Sequence, residues 1–198
     1  MELESSLPWL VLALTPGLAS RLSARLLKEF GSPDEVFRAP LPRLERCNLP
    51  SGVAQAVYKK QSFKRAEEEL ASTRNIDRCR LLNWTEPEYP QTLLQNHDPP
   101  VLLYVRGDVQ VLSMPIIRIV GTRRPTLYGT RMAERLGKEI AARGLVVASG
   151  LARGIDAIAH QGAMAVNGRA IGVPGTGVDV CYPKENKKLY GTRTRRDH

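Results

Sequence analysis

At 198 residues, 42% of them hydrophobic and 25% charged, the chain has the composition of an ordinary globular protein with enough apolar material to build a core. The formal net charge of +9 favours polyanionic partners, but it is unevenly spread: residues 1–80 carry 13 basic and 10 acidic groups, residues 81–183 carry 10 and 8, and residues 184–198 carry 6 and 2. Cys47, Cys79 and Cys181 form neither a CxxC nor a Cys/His pattern, which argues against a disulfide framework or a metal site and for a reducing compartment.

In chain order, the apolar stretch Leu7–Ala19 follows Glu2 and Glu4 rather than a basic segment, and Pro8 and Pro16 interrupt it. It is too short to span a bilayer, so it reads as neither a leader nor an anchor, and a cytoplasmic protein is the default expectation. Residues 1–75 read as a small all-helical domain of three or four short helices. Leu18, Leu22, Arg25, Leu26 and Phe30 form one stripe that stops at Gly31. Ser32, Pro33 and Glu35 then stand as N-cap, first residue and third residue of a second helix. SGVAQAVYKKQSFKRAEEELAS predicts one further amphipathic helix of four or five turns.

Residues 76–114 have a different texture, with several prolines and short apolar runs. They read as a connector holding one strand, VLLYVRG, closed by a turn at Gly107 and Asp108. Residues 115–190 become regular. Strand IIRIV leads to loop GTRRPTLYG and helix TRMAERLGKEIAARG, whose inner face is expected to carry Met132, Leu136 and Ile140. Strand LVVAS, loop SGLARGID, helix AIAHQGAMAVNG, strand RAIGV and loop PGTGVD follow. Alternation of this kind predicts an α/β fold with a parallel sheet, in which ligands sit at the carboxyl ends of the strands. All three glycine loops fall at that edge.

Each loop can offer backbone N–H groups to an anion. The candidate phosphate-binding residues are Gly121, Thr122, Arg123 and Arg124 in the first loop, Ser149, Gly150 and Gly154 in the second, and Gly175 and Gly177 beside Thr176 in the third. Arginines suit this task because a guanidinium grips phosphate with two parallel bonds. No GxGxxG follows the first strand and no acidic residue ends the second, so a dinucleotide cofactor loses its support; the absence of GxxxxGK[ST] does the same for a P-loop NTPase. No cofactor and no metal is expected. Asp156 and His160 share a helix face, but without a nucleophile or metal set they read as structural rather than catalytic. Tyr128 and Tyr182 carry two readings, base stacking and loop packing.

IVGTRRPTLYG, VVASGLARGIDAIAHQGAM and GTGVDVCYPKEN, in this order and spacing, resemble the DNA-processing protein A (DprA/Smf) family. YPQTLLQNHDPPVLLYVRGD resembles its connector, and LTPGLASRLSARLLKEFGSPDEVF its SAM-like, helix-hairpin-helix-like N-terminal domain. The resemblance implies a Rossmann-like domain over 115–190 and a protein that is not an enzyme. Such a protein binds single-stranded DNA, protects it during natural transformation and assists loading of the RecA recombinase. It places Gly121, Thr122 and Arg123 in the phosphate pocket, with Ser149, Gly150 and Gly154 beside it. Ala19 stands where a second hairpin glycine would help meet duplex phosphate, so the helical domain reads as a structural or interaction module rather than a duplex binder. The resemblance also implies later strands, a further basic segment and a homodimer surface that have no counterpart here. The chain is therefore expected to be C-terminally truncated, with an incomplete sheet, poor solubility and a basic non-family tail over 191–198. The alternatives are a nucleotide-binding or nucleoside-monophosphate-hydrolysing enzyme, in which Asp179 would replace a missing glutamate, and a remnant without binding capacity.

Overall fold

The computed structural model describes residues 4–191; the tail residues 192–198 lie outside the described residues. The chain divides into two compact units, residues 1–106 and 107–198.

The first unit holds six α-helices among its described residues before its first strand: α1 (Leu7–Leu14), α2 (Ser20–Phe30), α3 (Pro33–Arg38), α4 (Leu41–Glu45), α5 (Ser51–Tyr58) and α6 (Phe63–Arg74). The apolar stretch near the N-terminus is a core helix. Leu10, Val11 and Leu12 are fully buried in α1 and pack in one cluster with Leu26, Val36, Leu44, Val57 and Leu70. Each such side chain contributes about 1.5–3 kcal/mol relative to leaving it in water. The expected stops and starts operate: Gly31 ends α2 at φ +85°, and the Ser32 hydroxyl accepts the Glu35 N–H at 3.3 Å to open α3. Between α1 and α2 the hairpin turns at Gly17, φ +72°. The Asp98 carboxylate accepts the Arg21 N–H at 3.2 Å, so the N-terminus of α2 already faces an anion.

Three expectations for this half need correction. The unit has more and shorter helices than three or four. The single helix expected from Ser51 is two, α5 and α6, separated at Lys59–Ser62. Lys60 takes the left-handed conformation, φ +51°, while Lys60 N–H donates to Val57 O at 3.0 Å and Gln61 N–H to Ala56 O at 3.1 Å. That pair of bonds closes a helix end in the way a glycine usually does. The connector, expected to hold one strand, holds two. β1 (Cys79–Asn83) pairs antiparallel with β2 (Leu102–Arg106), with Asn83 opposite Leu102, and the short helix α7 (Gln91–Leu94) lies in the excursion between them. Trp84 Nε1 and Tyr89 Oη both donate to Pro100 O, at 2.7 and 2.6 Å, which ties that excursion down.

The second unit is an alternating α/β layer. After a 3-10 turn (Val109–Ser113) come β3 (Ile116–Arg118), α8 (Leu127–Ala142), β4 (Val146–Ser149), α9 (Ile155–Ala165) and β5 (Ala170–Gly172); a second 3-10 turn (Lys184–Asn186) leads into α10 (Lys187–Gly191). The strands form a parallel sheet in the order β3-β4-β5, with Ile117 beside Val147 and Val147 beside Ala170. Ala141, Val147, Ala159, Ala163 and Ala170 form its core, with Ile119 and Ile140 packed against them. Ile116, Ile117, Val120 and Val173 remain exposed.

The inner face of α8 also differs from expectation. Its buried residues are Ala133, Gly137 and Ala141, while Leu136 is exposed and Met132 and Ile140 are half-buried. A Cβ at Gly137 would strike Ala159 O, and one at Gly162 would strike Glu134 O. The two helices approach backbone to backbone, which a stripe of large residues would prevent.

Candidate functional site

The loops after β3, β4 and β5 lie at the carboxyl edge of the sheet. In the first, Gly121, Thr122, Arg123 and Arg124 are all exposed. Thr122 O accepts the Ile155 N–H at 3.2 Å, and Thr122 Oγ1 accepts the Arg124 N–H at 3.2 Å. The loop is thus fastened to the start of α9 through its backbone and turned tightly on itself, leaving Arg123 at its tip. A Cβ on Gly121 would lie 2.7 Å from the Ile155 side chain, so this glycine is required by close approach. Among the described residues Arg123 and Arg124 make no ion pair. Thr126 caps α8, its hydroxyl accepting the Gly129 N–H at 3.1 Å. The helix therefore starts at Leu127, earlier than the sequence reading placed it. Tyr128, 74% exposed, consequently stands in the first turn beside the arginine loop.

The second loop turns two of its polar groups inward. Ser149 is 2% exposed, and its hydroxyl donates to Ile119 O at 2.5 Å across the sheet. Gly150 N–H donates to the buried carboxylate of Asp156, Oδ2, at 3.0 Å. Gly154 has φ +78° and ψ −131°, and a Cβ there would strike Thr122 O and the Arg123 backbone. The Ser149 hydroxyl and the Gly150 amide, both singled out as phosphate donors, are committed inside the protein. Gly154 is where the first and second loops touch. Asp156 and His160 are buried, and Asp156 acts through the Gly150 amide it holds.

The third loop is open. Gly175, Thr176 and Gly177 are exposed, and a Cβ on Gly175 would meet nothing within 4 Å. Thr176 Oγ1 donates to Val180 O at 3.0 Å, and the Val180 N–H donates to Gly177 O at 3.0 Å. Asp179 is exposed, with its carboxylate beside Gly177. Tyr182 is exposed, and its backbone oxygen accepts the Tyr190 hydroxyl at 3.2 Å.

Residues beyond the sequence reading complete the frame. Asn186, buried, donates from Nδ2 to Leu151 O at 2.8 Å and to Ala152 O at 3.3 Å. Leu189 is buried against Leu151 and Ala157. Arg153 pairs with Glu185 at 2.7 Å on the surface. Glu185 is held below the usual carboxylate range, first by its own backbone N–H and then by Arg153. Arg153 sits inside the SGLARGID run, so its type was visible; its acidic partner, 32 residues on, was not. Among the described residues no three His, Cys, Asp or Glu side chains are grouped to hold a metal, and no helix is long and apolar enough to cross a membrane.

Residues 80–197 match the family model for DNA recombination-mediator protein A. The match runs into residues 191–197, which the sequence reading set outside the family pattern. DNA processing protein DprA of Bacillus subtilis is 45% identical over 103 residues, covering 52% of this chain and 35% of that protein. Protein Smf of Synechocystis sp. is 40% identical over 109 residues, covering 53% and 27%. Among solved structures, DNA processing protein A from Streptococcus pneumoniae superposes with a TM-score of 0.72 at 27% identity, over 96% of this chain and 63% of that one. A structure describing the single-stranded DNA binding mode of DNA processing protein A from Helicobacter pylori matches with a TM-score of 0.51 at 33% identity, over 57% and 50%. The chain thus spans less than two thirds of each of these relatives.

Proposed function

This chain belongs to the DNA recombination-mediator protein A family, and from that premise we propose that it binds single-stranded DNA through the arginine loop after β3. The observation that carries the reading is the pair Arg123 and Arg124. They are exposed and lack an ion pair among the described residues, on a loop whose backbone is fastened to α9. Cations held ready on a rigid loop lose little entropy on meeting phosphate, and they recognise the backbone without reading a base.

In this reading Arg123 and Arg124 contact phosphate, with the backbone of Gly121 and Thr122 beside them. Ser149, Gly150 and Gly154 hold the loops in register, and Gly175 and Gly177 form an open outer wall. Tyr128 stacks on a base next to the phosphate contact, and Tyr182 is a second, more distant stacking surface. The protein binds and does not catalyse. The family premise extends the proposal to a DNA-processing protein of the DprA/Smf type that protects incoming DNA and hands it to RecA. On the same premise the helical unit is SAM-like.

Titration of the protein into labelled oligo(dT) tests the reading. Binding should weaken steeply with salt, and Arg123→Ala should cost roughly tenfold or more in affinity, as loss of a charge-assisted hydrogen bond of about 1.5–3 kcal/mol requires. Normal binding by Arg123→Ala would remove the pocket from the account.

A further inference from the structure

The break between α5 and α6 produces a surface that the arginine loop does not explain. From Tyr58 to Arg65 the sequence is YKKQSFKR, with four cations and no acid. Without those four, residues 1–80 would hold nine basic groups against ten acidic ones, so the positive surplus of the helical half is gathered at this one turn. Lys59, Lys60, Lys64 and Arg65 are exposed, and the three lysines make no ion pair among the described residues. Tyr58 and Phe63, the last residue of α5 and the first of α6, are 51% and 39% exposed.

The interior of the turn is fixed. Ser62 is buried and its hydroxyl donates to Leu14 O at 2.8 Å, pinning the turn to the end of α1. The bonds from Lys60 and Gln61 to Val57 O and Ala56 O lock its backbone. Ser62 consequently gives no side-chain cap to α6, whose first turn carries Lys64 and Arg65 and no acid. Cations there oppose the helix dipole, and such a local conflict is expected where function, rather than stability, sets the residue. Glu67, Glu68 and Glu69 come only after Arg65.

We propose that the α5–α6 turn is a second single-stranded nucleic-acid contact, with Lys59, Lys60, Lys64 and Arg65 tracking phosphates and Tyr58 and Phe63 offering faces to unstacked bases. Exposed aromatics interleaved with exposed cations on a rigid turn fit a single strand, whose bases are free to stack. An acidic protein surface would match the cations but gives the two exposed rings no task. The inference stands apart from the arginine loop.

The test uses the full chain with oligo(dT) carrying 5-iodouracil. Crosslinks are mapped by mass spectrometry in the unaltered protein and in Arg123→Ala, and the salt dependence of binding is measured for Lys59→Gln/Lys60→Gln/Lys64→Gln. Crosslinks at Tyr58 or Phe63 that persist in Arg123→Ala, and a log–log salt slope shallower by about 2 in the triple variant, are the expected results, since each phosphate contact to a single strand contributes about 0.7. The three lysines are exposed, and an unchanged melting curve confirms that the fold is intact. Crosslinks confined to 107–191, with an unchanged slope, would overturn the proposal, as would a triple variant that loses an acidic protein partner but no DNA. Should Arg123→Ala bind normally while the Tyr58 or Phe63 crosslink remains, the arginine loop fails and this contact stands.

Discussion

Gly154 and Gly175 lie in two of the three glycine loops and look interchangeable in the sequence, but their substitution by alanine should have opposite outcomes. At Gly154 the backbone sits at φ +78° and ψ −131°, a conformation nearly restricted to glycine. Forcing alanine into it costs about 1–3 kcal/mol before any contact is considered. The added Cβ would also strike Thr122 O and the Arg123 backbone, which no rotamer change can relieve. The first loop must then shift, taking Arg123 with it and stretching the bond from Ile155 N–H to Thr122 O. Thermal unfolding followed by circular dichroism should show Gly154→Ala melting at least about 4 °C lower, taking about 1 kcal/mol as the smallest cost in a domain of this size. Fluorescence anisotropy with oligo(dT) should show about tenfold weaker binding, the equivalent of about 1.4 kcal/mol. Gly175→Ala, with nothing within 4 Å of the new methyl, should match the unaltered protein in both assays. The loop–loop contact has no role in binding if Gly154→Ala behaves like Gly175→Ala.

Asn186→Ala strips a buried donor from Leu151 O and Ala152 O and should lower stability by about 1–3 kcal/mol, read as a lower urea midpoint. Lys60→Gly should raise the melting temperature, because the left-handed conformation at φ +51° costs a non-glycine residue about 1–2 kcal/mol. Glu185 has a lowered folded-state pKa, so its contribution to stability is present above its unfolded pKa and is lost as pH falls through the folded value. Since its own backbone N–H is the larger cause, Arg153→Gln should return that pKa only part of the way, as an NMR titration of the Glu185 carboxyl would report; full return would reverse the ranking of the two causes. Tyr128→Ala should weaken oligo(dT) binding by about 1–3 kcal/mol if the ring stacks on a base, and leave it unchanged if the ring only covers the loop.

The order of strands, loops and helices in the second unit was legible because each strand is a short β-rich run and each helix carries its own stop and start. The three loops were legible as one edge for the same reason. Side-chain commitment was not. Nothing in SGLARGID says that the Ser149 hydroxyl turns inward to Ile119 O or that Asp156 takes the Gly150 amide, since both depend on partners set by the folded sheet. Pattern reading also favoured the large residues of α8, Met132, Leu136 and Ile140. Of these Ile140 does pack against the core, but the fully buried residues of the helix are Ala133, Gly137 and Ala141, because backbone-to-backbone packing selects small side chains. In the first unit the break at Lys60 was hidden because lysine occupies a position usually marked by glycine. β1 was missed because its five residues become a strand only by pairing with β2, reached across an excursion of loops and α7.

In the proposed binding mode Arg123 and Arg124 neutralise phosphates of a single strand. The most direct measurement is the slope of log affinity for oligo(dT) against log salt, for the unaltered chain and for Arg123→Ala/Arg124→Ala. Two lost phosphate contacts should make the slope shallower by about 1.4, with affinity reduced at every salt concentration. An identical slope and affinity in the double variant would contradict the claim and move the DNA contact elsewhere on the protein.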